Sequence, residues 1–104
     1  MPGPIKFLKQ AQKMQQEIIR VQAELKNKEV ETSAGGGVVK VKANGEGKII
    51  SITIQPDAID PNDVEMLEDM VLSAVNQAIE EAAALSSAEM SKITAGLNIP
   101  GMGP

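Results

Sequence analysis

The sequence predicts an α+β fold built from a long N-terminal helix, three short strands and a long C-terminal helix, and three observations predict it. Residues 5–29 contain no Gly or Pro and repeat their apolar residues at helical spacing. Residues 38–55 alternate apolar and polar residues on either side of Asn44-Gly45-Glu46-Gly47. Residues 64–95 return to helical spacing after Pro56 and Pro61. At 104 residues the chain has the length of one domain, residues 1–104, with a Gly/Pro tail at 97–104 expected to be mobile.

In the first helix Phe7, Ala11, Met14, Ile18, Val21 and Leu25 form a heptad seam with spacings of four and three. About 25 residues would extend about 37 Å, comparable with the diameter of a whole domain of this size, so part of the helix should project. Its stripe needs another helix to cover it, and the nearest one available is the same helix of a second copy.

The strands follow as Val30–Ala34, Val38–Ala43 and Lys48–Gln55. In the second, Val39, Val41 and Ala43 should share one face and Val38, Lys40 and Lys42 the other. In the third, Ile50, Ile52 and Ile54 alternate with Ser51 and Thr53, the pattern of a half-buried strand. Asn and Gly tolerate the positive φ that a hairpin turn requires, so the Asn44–Gly47 turn joins the last two strands.

For the second helix the sequence predicts Asp60 as N-cap with Pro61 at the first helical position. Val64, Leu67, Val71, Val75, Ala78, Ala82 and Leu85 make its buried stripe. Ser86 followed three residues later by Glu89 resembles a capping box, which predicts a break and a restart running to a stop at Gly96.

Composition removes most chemistry. The chain has no Cys, His, Trp or Tyr and a single Phe. The usual imidazole and thiol nucleophiles, bases and metal ligands are therefore missing, and stacking platforms for single-stranded nucleic acid lack their aromatics. The pairs Glu68–Asp69 and Glu80–Glu81 are sequence neighbours that point apart on a helix rather than across a cleft. Asp57, Asp60 and Asp63 lack the ligand alternation and central Gly of a calcium loop. The reading is no enzyme, no cofactor, no metal and no small-molecule substrate. No signal peptide or membrane span is evident either, which leads to the expectation of a soluble cytoplasmic protein.

Gly35-Gly36-Gly37 raises the question of a phosphate cradle. A P-loop needs Ser or Thr after Gly47-Lys48 and a Gly at position 42, where the chain has Ile49 and Lys42. A dinucleotide fingerprint needs a helix after the glycines, and a strand follows instead. The glycines are read as a corner or bulge.

The net charge of −4 is unevenly spread: residues 1–48 carry nine basic groups against five Glu, and residues 49–104 carry Lys92 against nine acids. At about 100° per residue, Lys6, Lys9, Lys13 and Arg20 fall within an arc of roughly 60°, turned away from the heptad seam. A duplex binder that grips phosphates needs only such a surface. The arc alone fits a plain solvated face equally well.

Read together, LKQAQKMQQEI (Leu8–Ile18), AGGG with VVKVKANGEGKI, MLEDMVLSAVNQAI (Met66–Ile79) and the closing GLNIPG resemble the YbaB/EbfC family of bacterial nucleoid-associated proteins, over nearly the whole chain and in order. The resemblance implies a three-stranded antiparallel sheet between the helices and a tweezer-like homodimer. It also implies binding of double-stranded DNA with low sequence selectivity, in organisation of the nucleoid or regulation of gene expression. In that family the helical arms touch DNA, which carries the role to Lys6, Lys9, Lys13 and Arg20, with Lys40 and Lys42 on the outer sheet face as further candidates. The competing reading is a protein–protein interaction module that uses the heptad and acidic helices without direct DNA contact.

Overall fold

The computed structural model describes residues 4–97. The tail expected at 97–104 lies outside the described residues except for Leu97. Helix α1 (Pro4–Leu25) is followed by strands β1 (Glu29–Ala34), β2 (Val39–Asn44) and β3 (Ile49–Ile54) and by helix α2 (Val64–Leu97), with short 3₁₀ turns at Gly35–Gly37 and Pro56–Ala58. The strands form one antiparallel sheet in the order β1-β2-β3. Helix α1 ends with the last seam residue, Leu25, four residues before the run without Gly or Pro does, because the chain turns at Lys26 and Asn27 to start β1.

One face of the sheet holds the core. Val39, Val41 and Ala43 of β2 are fully buried against Ala74 and Ala78 of α2, as the alternation predicts. The small side chains of Ala43, Ala74 and Ala78 let the helix approach the sheet closely enough for Thr32 of β1 to bond the helix backbone. Val38 departs from the predicted face: it has helical φ and ψ, precedes the strand and packs against the core.

Helix α2 crosses β1 and β2 and barely touches β3. Ile50 and Ile52 are therefore 48 % and 46 % exposed. Ile52 pairs with Val41, so it sits on the side of the sheet that faces the helix. The half-buried state expected of β3 is reached within one chain by Ile49 and Ile54.

Three corrections concern α2. Its N-cap is Asp63, whose Oδ1 accepts from the backbone N–H of Met66; Asp60 instead caps the preceding turn, accepting from Asn62 N–H. Val64 is exposed, and Ala74 takes its place in the stripe. The helix is also continuous through Ser86 and Gly96. The reason lies in tertiary contacts: Glu89, which a capping box would fold back onto Ser86, is bonded by Lys28 and Lys92. Leu85, Met90 and Ile93 pack against α1 across the proposed break.

The C-terminal part of the α1 heptad seam is covered, and within one chain α2 rather than a second α1 covers it; Phe7 and Ala11 remain exposed. Val21 and Leu25 are buried against Ile93, with Met14, Ile18, Leu85 and Met90 around them. The first half of α2 thus serves the sheet and the second half serves α1. The molecule is drawn out to 73 × 24 × 16 Å. No described helix is long and apolar enough to cross a membrane.

Candidate nucleic-acid interface

Among the described side chains, Met14 is the first of α1 to join the cluster shared with α2; residues 5–13 are all exposed. At 1.5 Å per residue this is an arm of about 13 Å beyond that cluster. The sequence places Lys6, Lys9 and Lys13 on it, and none of the three is in an ion pair among the described residues. No acidic residue precedes Glu17. The arm is uniformly cationic.

Arg20 differs from the three lysines. Its guanidinium donates to Glu17 and, at 2.7 Å, to Glu24, on the turns before and after it. The hydrogen bond with Glu17 is the main reason that the Arg20 pKa is raised and that the Glu17 carboxyl sits below its ordinary range. Two carboxylates around one guanidinium leave this part of the arc with a net negative charge. Arg20 is on the predicted face with its charge already compensated.

Lys40 and Lys42 stand exposed on the outer face of β2, opposite the core. Lys40 is flanked by Ser33 and Thr53, and Lys42 by Glu31 and Ser51. They do not join the arm lysines in one cluster. Lys13 alone is twelve residues, about 18 Å, from the end of α1, where the sheet begins.

The junction of arm and sheet is closely built. The β2–β3 turn docks on the end of α1: Gly45 N–H donates to the Leu25 carbonyl at 2.8 Å and to the Lys28 carbonyl at 3.0 Å. Asn44 Oδ1 accepts from the N–H groups of Glu46 and Lys48, and its Nδ2 donates to the Lys26 carbonyl at 3.4 Å. Two exposed lysines that sequence reading passed over, Lys26 and Lys48, are thereby held at the root of the arm. Their signal was their position, one just after the helix and one just after the turn. Lys28 is engaged there, donating to Glu89 at 3.1 Å, and Lys92 donates to the same carboxyl oxygen at 3.3 Å. Those two hydrogen bonds hold the Glu89 carboxyl below its ordinary range.

The glycine triplet is a corner. Gly35, Gly36 and Gly37 all have positive φ, between +64° and +99°, and carry the chain from β1 into β2. A Cβ on Gly35 would lie 2.3 Å from Met70 Sδ, so the first glycine also leaves room for the helix. Among the described residues no group of three or more acidic, His or Cys side chains is arranged to hold a metal.

Comparison with known proteins agrees with this architecture. The chain is 56 % identical over 97 residues to a nucleoid-associated protein of Pelotomaculum thermopropionicum, covering 93 % of this chain and 92 % of that one. It is 58 % identical over 96 residues to one of Clostridium novyi, covering 92 % and 84 %. The crystal structure of an uncharacterized protein from Helicobacter pylori superposes with a TM-score of 0.79 at 18 % identity, over 90 % of this chain and 99 % of that one, and so shares the fold. The sequence profile of a DNA-binding family, not an enzyme family, matches residues 1–97, and the chain belongs to it: the YbaB/EbfC DNA-binding family.

Proposed function

We propose that the protein is a nucleoid-associated homodimer that binds double-stranded DNA through phosphate contacts made by the arm of α1, with low sequence selectivity. One observation carries this reading: among the described residues, Lys6, Lys9 and Lys13 are exposed and without an ion pair, on the part of α1 that precedes its packing with α2. Lysine ammonium groups bind phosphates as point charges and read no base edge, so such contacts position the protein without choosing a sequence. The relatives' name, nucleoid-associated protein, supports location on the nucleoid.

The dimer is supported by apolar surface that one chain leaves open. Beside the uncovered Ile50 and Ile52, Leu72 of α2 is 60 % and Ile79 45 % exposed. Met70 lies against the end of β1, and at about 100° per residue Leu72, Val75 and Ile79 fall on the opposite flank of the helix, toward β3. The face thus combines a strand without a helix and a helix flank without a strand. Two copies related by a two-fold axis supply each to the other. Two arms then project from one body.

An electrophoretic mobility titration tests the reading. A duplex of mixed sequence should shift at low salt, unrelated duplexes should compete about equally, and affinity should fall steeply as salt rises. Absence of a shift, or affinity insensitive to salt, contradicts it.

A further inference from the structure

Phe7 is the chain's only aromatic residue, and it is 73 % exposed at the free end of α1. Ile5 at 70 % and Leu8 at 59 % stand beside it. The core, by contrast, is closed by small side chains, its largest fully buried ones being Val39 and Val41. An aromatic ring is among the most stabilising groups a core can bury, yet here the core does without it.

The apolar tip is interleaved with charge. Along Ile5-Lys6-Phe7-Leu8-Lys9, at about 100° per residue, Ile5 falls about 40° from Lys9, whereas Phe7 lies about 100° from Lys6 and about 160° from Lys9, on the flank away from the lysine arc. A partner meets lysines and ring together by taking the helix end-on. A polyanion satisfies the lysines, and in duplex DNA the apolar surface lies between the stacked bases. Apolar side chains flanked by cations at a helix end match the wedges by which minor-groove proteins part a base step.

Resting on the DNA-binding reading above, we propose that the tip of α1 is a wedge. Lys6, Lys9 and Lys13 seat the arm on the phosphates, and Phe7, with Leu8 and Ile5 beside it, enters between two base pairs, unstacks that step and kinks the duplex. The arm is then an instrument for bending DNA as well as for holding it.

The test uses the full chain and a duplex of about 20 base pairs that carries 2-aminopurine and a dye pair at its ends. Saturation with the wild-type protein should raise the 2-aminopurine emission and bring the ends together, by a bend of roughly 20–90°. Phe7→Ala should lose both signals while its affinity changes less than about tenfold, because the unstacking penalty disappears with the contact. Phe7→Leu should keep part of the bend. A duplex that binds but stays stacked and straight overturns the wedge, as does Phe7→Ala behaving like wild type. A change in light-scattering mass or a lowered thermal midpoint in Phe7→Ala also overturns it, since the ring would then be buried by the protein itself. Failure of the wild type to bind any duplex at low salt is a separate result, which retires the DNA-binding reading and the wedge with it.

Discussion

Thr32 Oγ1 donates a hydrogen bond of 2.7 Å to the backbone carbonyl oxygen of Ala74, joining β1 to the middle of α2 within the buried core. The bond fixes where the helix crosses the sheet, and so which strands it covers and which it leaves open. Because the Ala74 carbonyl also lies within the helix ladder, removing the hydroxyl leaves no orphaned acceptor. Thr32→Val should therefore destabilise by about 1 kcal/mol, and Thr32→Ser, which keeps the donor, by less. Urea unfolding should show a lower midpoint with an unchanged slope.

The root of the arm depends on Gly45. A Cβ there would lie 2.7 Å from the Leu25 carbonyl oxygen and the same distance from Leu25 Cδ2, and the backbone oxygen cannot swing away. Gly45→Ala should cost about 1–3 kcal/mol through this overlap. It should also raise hydrogen exchange at the end of α1. Gly36→Ala meets no atom within 4 Å, but its φ of +68° should still cost about 1 kcal/mol.

Acidification should loosen the arm by way of Glu89. Its folded-state pKa is depressed by the hydrogen bonds from Lys28 and Lys92 below an ordinary value of 4.5. The stability it contributes is thus fully present above pH 4.5 and is lost as pH falls through the folded value. Glu17, depressed chiefly by its hydrogen bond from Arg20, acts in the same direction. Comparison of urea midpoints at pH 7 and at about pH 4 should show a smaller difference for Glu89→Gln than for the wild type. An equal difference would remove Glu89 from the account.

Arg20 offers a gain of binding. Replacing Glu17 and Glu24 together by Gln should release the guanidinium for a phosphate. Affinity for duplex DNA should rise, and the slope of log affinity against log salt should steepen by about 0.9. A weaker or unchanged affinity would show that Arg20 faces away from the bound duplex.

The open face of β3 gives a prediction for assembly. Ile52→Glu puts a charge where a second copy is expected to pack, and should shift the light-scattering mass from two chains to one. The same change on a surface that stays in water should leave the mass alone.

The legible part of the fold is the part that local rules control. The Asn44–Gly47 turn and the pairing of Val39, Val41 and Ala43 follow from positive-φ preference and two-residue alternation, and both are found in place. The misread parts depend on tertiary contacts. Ser86 and Glu89 look like a cap until Lys28, 61 residues away, takes the carboxylate. The C-terminal part of the α1 seam, from Met14 to Leu25, looks like a self-pairing surface until the far half of α2 lies along it. Asp60 and Asp63 are both competent caps, and hydrogen-bond geometry alone assigns the helix to Asp63. Within the candidate interface, the basic arc was legible from a 100° wheel, whereas the compensation of Arg20 required rotamers that the wheel does not contain.

The central claim is that the free lysines of the arm hold the duplex by its phosphates, and the salt dependence of a lysine variant tests it most directly. Lys9→Ala with Lys13→Ala should lower affinity on every duplex alike, and should flatten the plot of log affinity against log salt by about 1.8, two contacts at about 0.9 each, with the light-scattering mass unchanged. A double variant that binds with wild-type affinity and slope would contradict the account.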